Sequence, residues 1–492
     1  MKSISAIMTC LGESGEPETL DVLTHCELID ATTLALPPQA SLAPAQCKSI
    51  HISDLWSESA IIDILNWFDT TNTGYLLWIL PGAPVLHSRG IQRLLSCAED
   101  AKPAIVYGDY VELKQDGSVE QHPLIDYQAG SIRDDFDFGS VLLFSRACLA
   151  GLAREIKTDG KNLQFGGFYD LRLRLSERGA VIRLPEPVYA LPQRDERLSG
   201  QKVFDYVDPG NRAYQIEMEQ VATSHLQRIG AFIVPPKENL VEDDGDYPVR
   251  ASVVIPVKNR IKTIADALNS ALSQVTNFDF NVIVVDNHST DGSTEILSEV
   301  SRRDKRLIHI IPQRNDLGIG GCWNEAIYSK QCGKIVVQLD SDDIYSGTDV
   351  LQRIVAEFDK KPYALVIGSY TTVDFELKPL HPGLVDHREW TEANGQNNAL
   401  RIAGLGAPRA FHAPTLRAVG FPNVSYGEDY AAVVQLCRKY PLGRIYDSLY
   451  WCRRWEENSD SALSLQVSNR YHAYKDSIRT IEIAARQKKS NA

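Results

Sequence analysis

Long apolar runs are missing from this chain: no uninterrupted stretch approaches the length needed to cross a bilayer. The N-terminus, MKSISAIMTCLGES, offers a short apolar stretch with acids soon after it. That suits a first strand better than a secretory signal. Cysteine pairs at zinc-binding spacing are missing too. The nine cysteines are scattered, odd in number and never arranged as CxxC. A reducing, cytoplasmic setting is the expectation, and a structural zinc is not. Basic charge is in deficit, with 51 Lys and Arg against 64 Asp and Glu and a net charge of −13. This argues against a nucleic-acid surface or a general anionic-membrane surface. A local basic cluster, RQKKSNA, ends the chain, and a peripheral membrane contact would be sought there. What remains is an ordinary globular composition over 492 residues, enough for two or three domains with sizeable cores.

The first half is apolar enough to fold but poor in chemistry. YLLWIL (75–80) and AIVYGDY (104–110) read as buried strands, and helical stretches flank them at 60–67 and 91–98. Between 205 and 234, Met218, Val221, Leu226 and Ile229 fall near helical spacing, with Gly230 as the stop. Residues 235–248, PPKENLVEDDGDYP, lack apolar periodicity and carry acids, two adjacent prolines and a turn-prone Asp-Asp-Gly. The spacing places a linker at 235–249.

Strands and helices then alternate. SVVIP (252–256), VIVVD (282–286), LIHII (307–311) and IVVQL (335–339) read as buried strands. Between the first two, Ile264, Ala267, Leu268, Ala271, Leu272 and Val275 mark one helical face, and Thr263 with Asp266 resembles a capping box. Helices are expected at 293–300 and 320–329. Such alternation argues for βαβ units and a parallel sheet.

Polar residues gather at the strand ends, where open α/β sheets bind ligands. Val257-Lys258-Asn259-Arg260 follows the first strand and Asp286-Asn287-His288-Ser289-Thr290-Asp291-Gly292-Ser293 the second. Asp286 can accept hydrogen bonds from a ribose or a base, whereas Asp291 reads equally as a turn and cap residue. Residues 315–321, NDLGIGG, form a glycine-rich turn into a helix, alone a weak phosphate signal. After the fourth strand come Asp340, Asp342 and Asp343. Three acids so close repel one another unless a cation balances them, and Mg²⁺ or Mn²⁺ needs only one or two carboxylates when phosphates complete its shell. The other reading of the same residues is an acidic turn that caps the next helix.

Taken together, SVVIPVKNR, VIVVDNHSTDGSTEIL, QRNDLGIGGCWNEAI, VVQLDSDDIY and, further on, SYGEDY (425–430) resemble the family 2 glycosyltransferases, which have the GT-A fold. The resemblance covers roughly residues 250–461. It implies an α/β, Rossmann-like nucleotide-diphospho-sugar transferase domain there. Pro256, Asn259 and Arg260 would line the nucleotide pocket, and Asp286 would bind base or ribose. Asn315, Gly318 and Asn324 would lie on the phosphate side. Asp340 and Asp342 would form the DxD motif, with Asp342 and Asp343 nearest an Mn²⁺ or Mg²⁺ ion and Asp340 nearer the ribose. Asp429 would be the general base, with Glu428 beside it. Residues 404–411, GLGAPRAF, resemble the loop under donor sugar and acceptor. Two departures stand out: Trp323 where many members carry arginine, and Trp455 where a stretch often reads Arg-x-His. Arg453 and Arg454 offer positive charge near that point.

The first half resembles a copy of the second with its chemistry missing. Residues 75–86 can be laid on 334–345, residues 105–123 on 366–382, and residues 164–194 on 425–454. Pro81-Gly82-Ala83-Pro84 then replaces the acidic cluster, and Gly167 and Phe168 replace Glu428 and Asp429. The expected organisation is a degenerate GT-A-like domain at 1–234, a linker at 235–249, a catalytic domain at 250–461, and a C-terminal helix with a basic tail at 462–492.

The function implied is inverting, metal-dependent transfer of a sugar from a nucleoside diphosphate donor, UDP first among them, to a hydroxyl of a glycan, lipid-linked or protein acceptor. Two rivals remain, a nucleotide-sugar-binding scaffold without turnover and a nucleotidyltransferase. Fold alone does not separate them.

Overall fold

The computed structural model describes residues 3–37, 47–193, 197, 207–235, 238–243, 245–458 and 460–490. Residues 236, 237 and 244 of the expected linker and 491–492 of the basic tail lie outside these.

Nine strands build the first sheet: β1 (Ile4–Thr9), β2 (Ile29–Leu36), β3 (Lys48–His51), β4 (Tyr75–Ile79), β5 (Val85–Leu86), β6 (Ile105–Leu113), β7 (Val119–His122), β8 (Val141–Ser145) and β9 (Val181–Pro192). Their order is β3-β2-β1-β4-β8-β6-β9-β5, with β7 paired to β6. Nine more build the second: β10 (Ala251–Val257), β11 (Phe280–Asp286), β12 (Leu307–Ile310), β13 (Ile335–Gln338), β14 (Ile344–Tyr345), β15 (Leu365–Val373), β16 (Pro379–Val385), β17 (Arg409–His412) and β18 (Leu442–Arg453). Their order is β12-β11-β10-β13-β17-β15-β18-β14, with β16 paired to β15. Strand for strand the two orders coincide.

Register aligns the two sheets more tightly than sequence does. Phe144 of β8 lies opposite Leu76 and Ile105. Phe411 of β17 lies opposite Val336 and Leu365. Leu76 therefore matches Val336, and Ile105 matches Leu365, each one residue away from the pairing that the sequence suggests. A slip of one residue leaves apolar runs looking alike, so sequence cannot detect it where both faces are buried. The later segments agree as expected: Val181 and Leu442 face these same partners, and the helices Gly167–Arg178 and Glu428–Lys439 precede them with equal length.

The second sheet follows from its sequence. β10, β11 and β13 are parallel and almost wholly buried, as continuous apolar runs require. The helix Ile264–Leu272 buries Ile264, Ala267, Leu268 and Ala271, the face its periodicity predicts. The capping box does not form. The Thr263 hydroxyl donates instead to Ser341 O at 2.9 Å, and Asp266 pairs with Arg453 at 2.7 Å. Both groups are drawn to the acidic turn and leave the helix start uncapped.

Two compact units result. The first comprises residues 1–197, 216–230 and 464–483, and the second residues 198–215, 231–463 and 484–492. Residues 235–249 thus group with the second unit instead of standing apart. Val241 N–H donates to Thr415 Oγ1, and Arg417 binds Tyr247. The C-terminal helix runs over Leu465–Ser490, with residues 464–483 grouped in the first unit and 484–492 in the second.

Candidate functional site

The end of β10 and the segments that follow β10, β11 and β13 line, with Ser425 ahead of the helix Glu428–Lys439, a cavity of 190 Å³. Its lining includes Pro256, Arg260, Asn287, Gly318, Ser341 and Ser425. Three of the predicted nucleotide residues, Pro256, Arg260 and Gly318, are therefore brought together. Lys258 lines the same space.

Asn259 turns the chain at φ 54° and braces the neighbouring loop, its Oδ1 accepting from Thr290 N–H at 2.8 Å. Asp286 sits at the strand end but is fully buried and engaged by its own loop. Its oxygens accept from Ser289 N–H at 2.9 Å and Thr294 Oγ1 at 2.5 Å, with His309 Nε2 at 3.4 Å. Burial would raise this carboxyl, but the hydrogen bonds from His309, Thr294 and Ser289 hold it well below the usual range. The neighbouring Asn287 has the opposite arrangement. Its Nδ2 donates to Leu317 O at 2.8 Å, while its Oδ1 is buried and without a hydrogen-bond partner among the described residues. Sequence reading passed over Asn287. The signal was its place immediately after a strand whose own terminal acid turns inward.

Asn315 is exposed. Asn324 is committed to structure, its Nδ2 and Oδ1 clamping Phe421 O and N–H at 2.8 and 3.0 Å. Trp323 packs between Phe411 and Phe421, with centroids 6.2 and 5.3 Å away. Asp291 proves to be the turn residue, accepting from Ser293 and Ile261 backbone N–H groups.

The acidic turn forms a crowded carboxylate group. Gln338 Nε2 donates to both Asp340 oxygens at 2.9 and 3.0 Å. Asp342 Oδ2 receives Asn458 Nδ2 at 3.2 Å and Trp455 Nε1 at 3.5 Å, with Arg260 Nε 3.8 Å away. Trp455, the departure noted in the sequence, thus supplies an N–H donor to the carboxylate. Asp343 Oδ1 accepts from Arg453 N–H at 2.7 Å. Burial, then Asp342 and Asp340, push Asp343 well above the usual carboxylate range. Burial also raises Asp340, with Arg409 opposing. Among the described residues no group of three or more His, Cys, Asp and Glu side chains converges on one point. The arrangement suits a cation held by one or two carboxylates and completed by ligand oxygens, not a cage built wholly of protein.

Glu428 and Asp429 open their helix behind Gly427, whose φ of 76° only glycine adopts cheaply. Glu428 is buried; burial, then Asp429, push its carboxyl up to about 8. Asp429 Oδ2 lies 3.0 Å from Arg409 Nη1, and its Oδ1 accepts from Tyr430 N–H at 2.7 Å. Arg409, inside the loop the resemblance marked, was not singled out from sequence.

The family model described as “Glycosyl transferase family 2” matches residues 252–411. The chain is similar to a poly(ribitol-phosphate) beta-glucosyltransferase of Bacillus spizizenii, 26% identical over 244 residues, covering 48% of this chain and 37% of that protein. It is also similar to a putative teichuronic acid biosynthesis glycosyltransferase, TuaG, of Bacillus subtilis, 36% identical over 129 residues, covering 26% of this chain and 50% of that protein. Among solved structures it is similar to residues 1–349 of S. aureus TarS in complex with UDP-GlcNAc, at 22% identity and a TM-score of 0.35, covering 48% of this chain and 72% of that one. The chain spans less than two thirds of the length of these curated relatives.

Proposed function

We propose, from the premise that residues 252–411 are a glycosyl transferase family 2 domain, that this chain transfers a sugar from a nucleoside diphosphate donor to an acceptor hydroxyl. The observation that carries the reading is the position of the cavity. It reaches from Arg260 and Asn287 to Ser341 of the acidic turn and Ser425 ahead of the Glu-Asp pair. This supports a reading in which the nucleotide end fills that space, with the charge-handling centre and the base close beside it in the chain.

Asn287 Oδ1 supplies an acceptor for a base N–H or a ribose hydroxyl. UDP is the nucleotide we favour. Asp342 and Asp343, with Asp340 beside them, would hold Mg²⁺ or Mn²⁺, which neutralises charge on the departing diphosphate. Arg260 adds positive charge on the same side. Asp429 takes the proton of the acceptor hydroxyl as its oxygen bonds to the anomeric carbon. The bond from that carbon to the diphosphate breaks, and the nucleoside diphosphate leaves with the electron pair. Displacement by the acceptor itself inverts the anomeric centre. The relatives' names support a glycan acceptor. No described helix is long and apolar enough to cross a membrane. A cytoplasmic setting is our reading of nine scattered cysteines with no CxxC pair.

Product analysis with UDP-sugars and Mn²⁺ tests the reading. Release of a nucleoside diphosphate is expected. Release of pyrophosphate from UTP and a sugar 1-phosphate in a parallel assay would identify a nucleotidyltransferase, and no release from either mixture despite binding would identify a scaffold. Asp342→Ala should abolish metal-dependent stabilisation by the donor in thermal melts, since ligand binding raises the melting temperature by mass action.

A further inference from the structure

The first sheet is an internal control for the second. Two residues beyond Leu76 and Val336, Trp78 matches Gln338. Two residues before Phe144 and Phe411, Leu142 matches Arg409. At the second position of the matching helices, Phe168 matches Asp429. Leu80, one step past β4, matches Asp340. In the first sheet these positions make a dry contact: Trp78 lies opposite Leu142, and its ring meets Phe168 edge-on at 5.6 Å. The architecture therefore closes without any charged group at this place, its one polar atom, Trp78 Nε1, donating to Thr9 Oγ1 at 3.4 Å.

In the second sheet the same positions hold an unbroken polar chain. Gln338 Nε2 donates to both oxygens of Asp340. Gln338 Oε1 accepts from Arg409 N–H at 3.2 Å. Arg409 Nη1 donates to Gly406 O at 2.8 Å and lies 3.0 Å from Asp429 Oδ2. Gln338 is 3% exposed in the middle of the sheet. Burying an amide and a guanidinium costs free energy that an apolar trio avoids, so stability does not account for them.

We infer that Gln338 and Arg409 are positioning residues that fix the Asp429 carboxylate relative to Asp340, so that base and donor end are set at one distance before the acceptor arrives. This rests on the transferase reading above. Neither residue needs to touch a substrate. Gln338 has its amide oriented by Asp340 on one side and by the Arg409 backbone on the other. Arg409 offers charge and a directed N–H to Asp429, and it also faces Asp340 from the end of β13 and Glu428 from the same helix as Asp429. Fixing a base in advance is where catalysis gains most from geometry.

Arg409→Met should lower kcat by about tenfold or more. KM for the donor should stay within about twofold, as expected of a residue that acts through Asp429 and not on the donor. Arg409→Lys, which keeps the charge, should recover part of the lost kcat. Gln338→Met, which leaves every charge in place, should also lower kcat at an unchanged donor KM. A wild-type kcat in either Met variant, or a donor KM that rises as much as kcat falls, overturns the inference. Should the wild type release no nucleoside diphosphate, the transferase reading fails instead. The link is then judged by a cycle of Arg409→Met and Asp429→Asn on melting temperature, where coupling supports it and additivity overturns it.

Discussion

Glu428 and Asp429 are neighbours in sequence but opposites in environment. Asp429 has Arg409 at 3.0 Å, whereas Glu428 is buried with Asp429 raising it further. A carboxyl whose folded pKa exceeds its unfolded one binds a proton on folding between the two values. Stability therefore falls as pH rises from 4.5 to about 8, the range set by its usual and raised values. Glu428→Gln removes that penalty, so its melting temperature should gain on wild type across this window and lead at pH 8. Parallel curves would mean Glu428 ionises normally. Asp429→Asn asks a different question. Asn has the shape of Asp and keeps an Oδ1 acceptor for Tyr430 N–H, so folding and donor affinity should hold while transfer slows roughly 10²-fold or more. Wild-type turnover would remove Asp429 from the mechanism. Sequence could name both acids, because a motif preserves residue type and order. It could not show that Asp286 turns into its own loop while Asn287 keeps a free acceptor, because adjacent strand residues point to opposite faces and only the folded loop decides which partners are met.

At the scale of elements, periodicity carried most of the architecture. Buried apolar runs marked β4, β10, β11 and β13, and one apolar face marked the helix Ile264–Leu272. What escaped was every feature set by a distant partner: the unused capping box, the one-residue register, and the meaning of the glycines at 315–321. The helix Ile319–Ile327 shows the last of these. A Cβ on Gly320 would lie 1.9 Å from Pro422 O and 2.9 Å from Glu428 Cβ. The glycine lets this helix press against the segment leading to the Glu-Asp pair, a demand for close approach that no phosphate need impose. Gly320→Ala should cost about 1–3 kcal/mol by overpacking, read from urea unfolding, and should weaken donor binding by displacing Ser425 and Glu428. Wild-type stability would show that the segment yields freely.

At the scale of the whole chain, the units are interleaved in sequence, and this changes what a boundary means. The composition of 235–248 suggests a place to cut, but residues 464–483 belong to the first unit. Their helix carries Asp476 and Arg479, both fully buried. Asp476 accepts from Ser131 Oγ and from Arg479 Nη1 at 2.8 Å each, and Arg133 Nε stands 3.5 Å away. The backbone approach is equally close: a Cβ on Gly130 would lie 2.1 Å from Asp476 O. A spacing rule reveals the helix, since Tyr471, Tyr474, Ile478 and Ile481 recur at its period, but it cannot reveal that charged residues between them are the anchor. Asp476→Ala removes the buried carboxylate that Arg479 and Arg133 share, while Arg133 keeps Asp135 at 2.7 Å, a loss of about 3–5 kcal/mol. Urea unfolding followed by tryptophan fluorescence should show the first unit, with Trp78 in its core, opening at lower denaturant. The UDP binding proposed for the second unit should survive past that transition, up to the second unit's own. A fragment of residues 1–234 should fail to fold cooperatively for the same reason, and a stable fragment of that length would show that the C-terminal helix adds nothing essential.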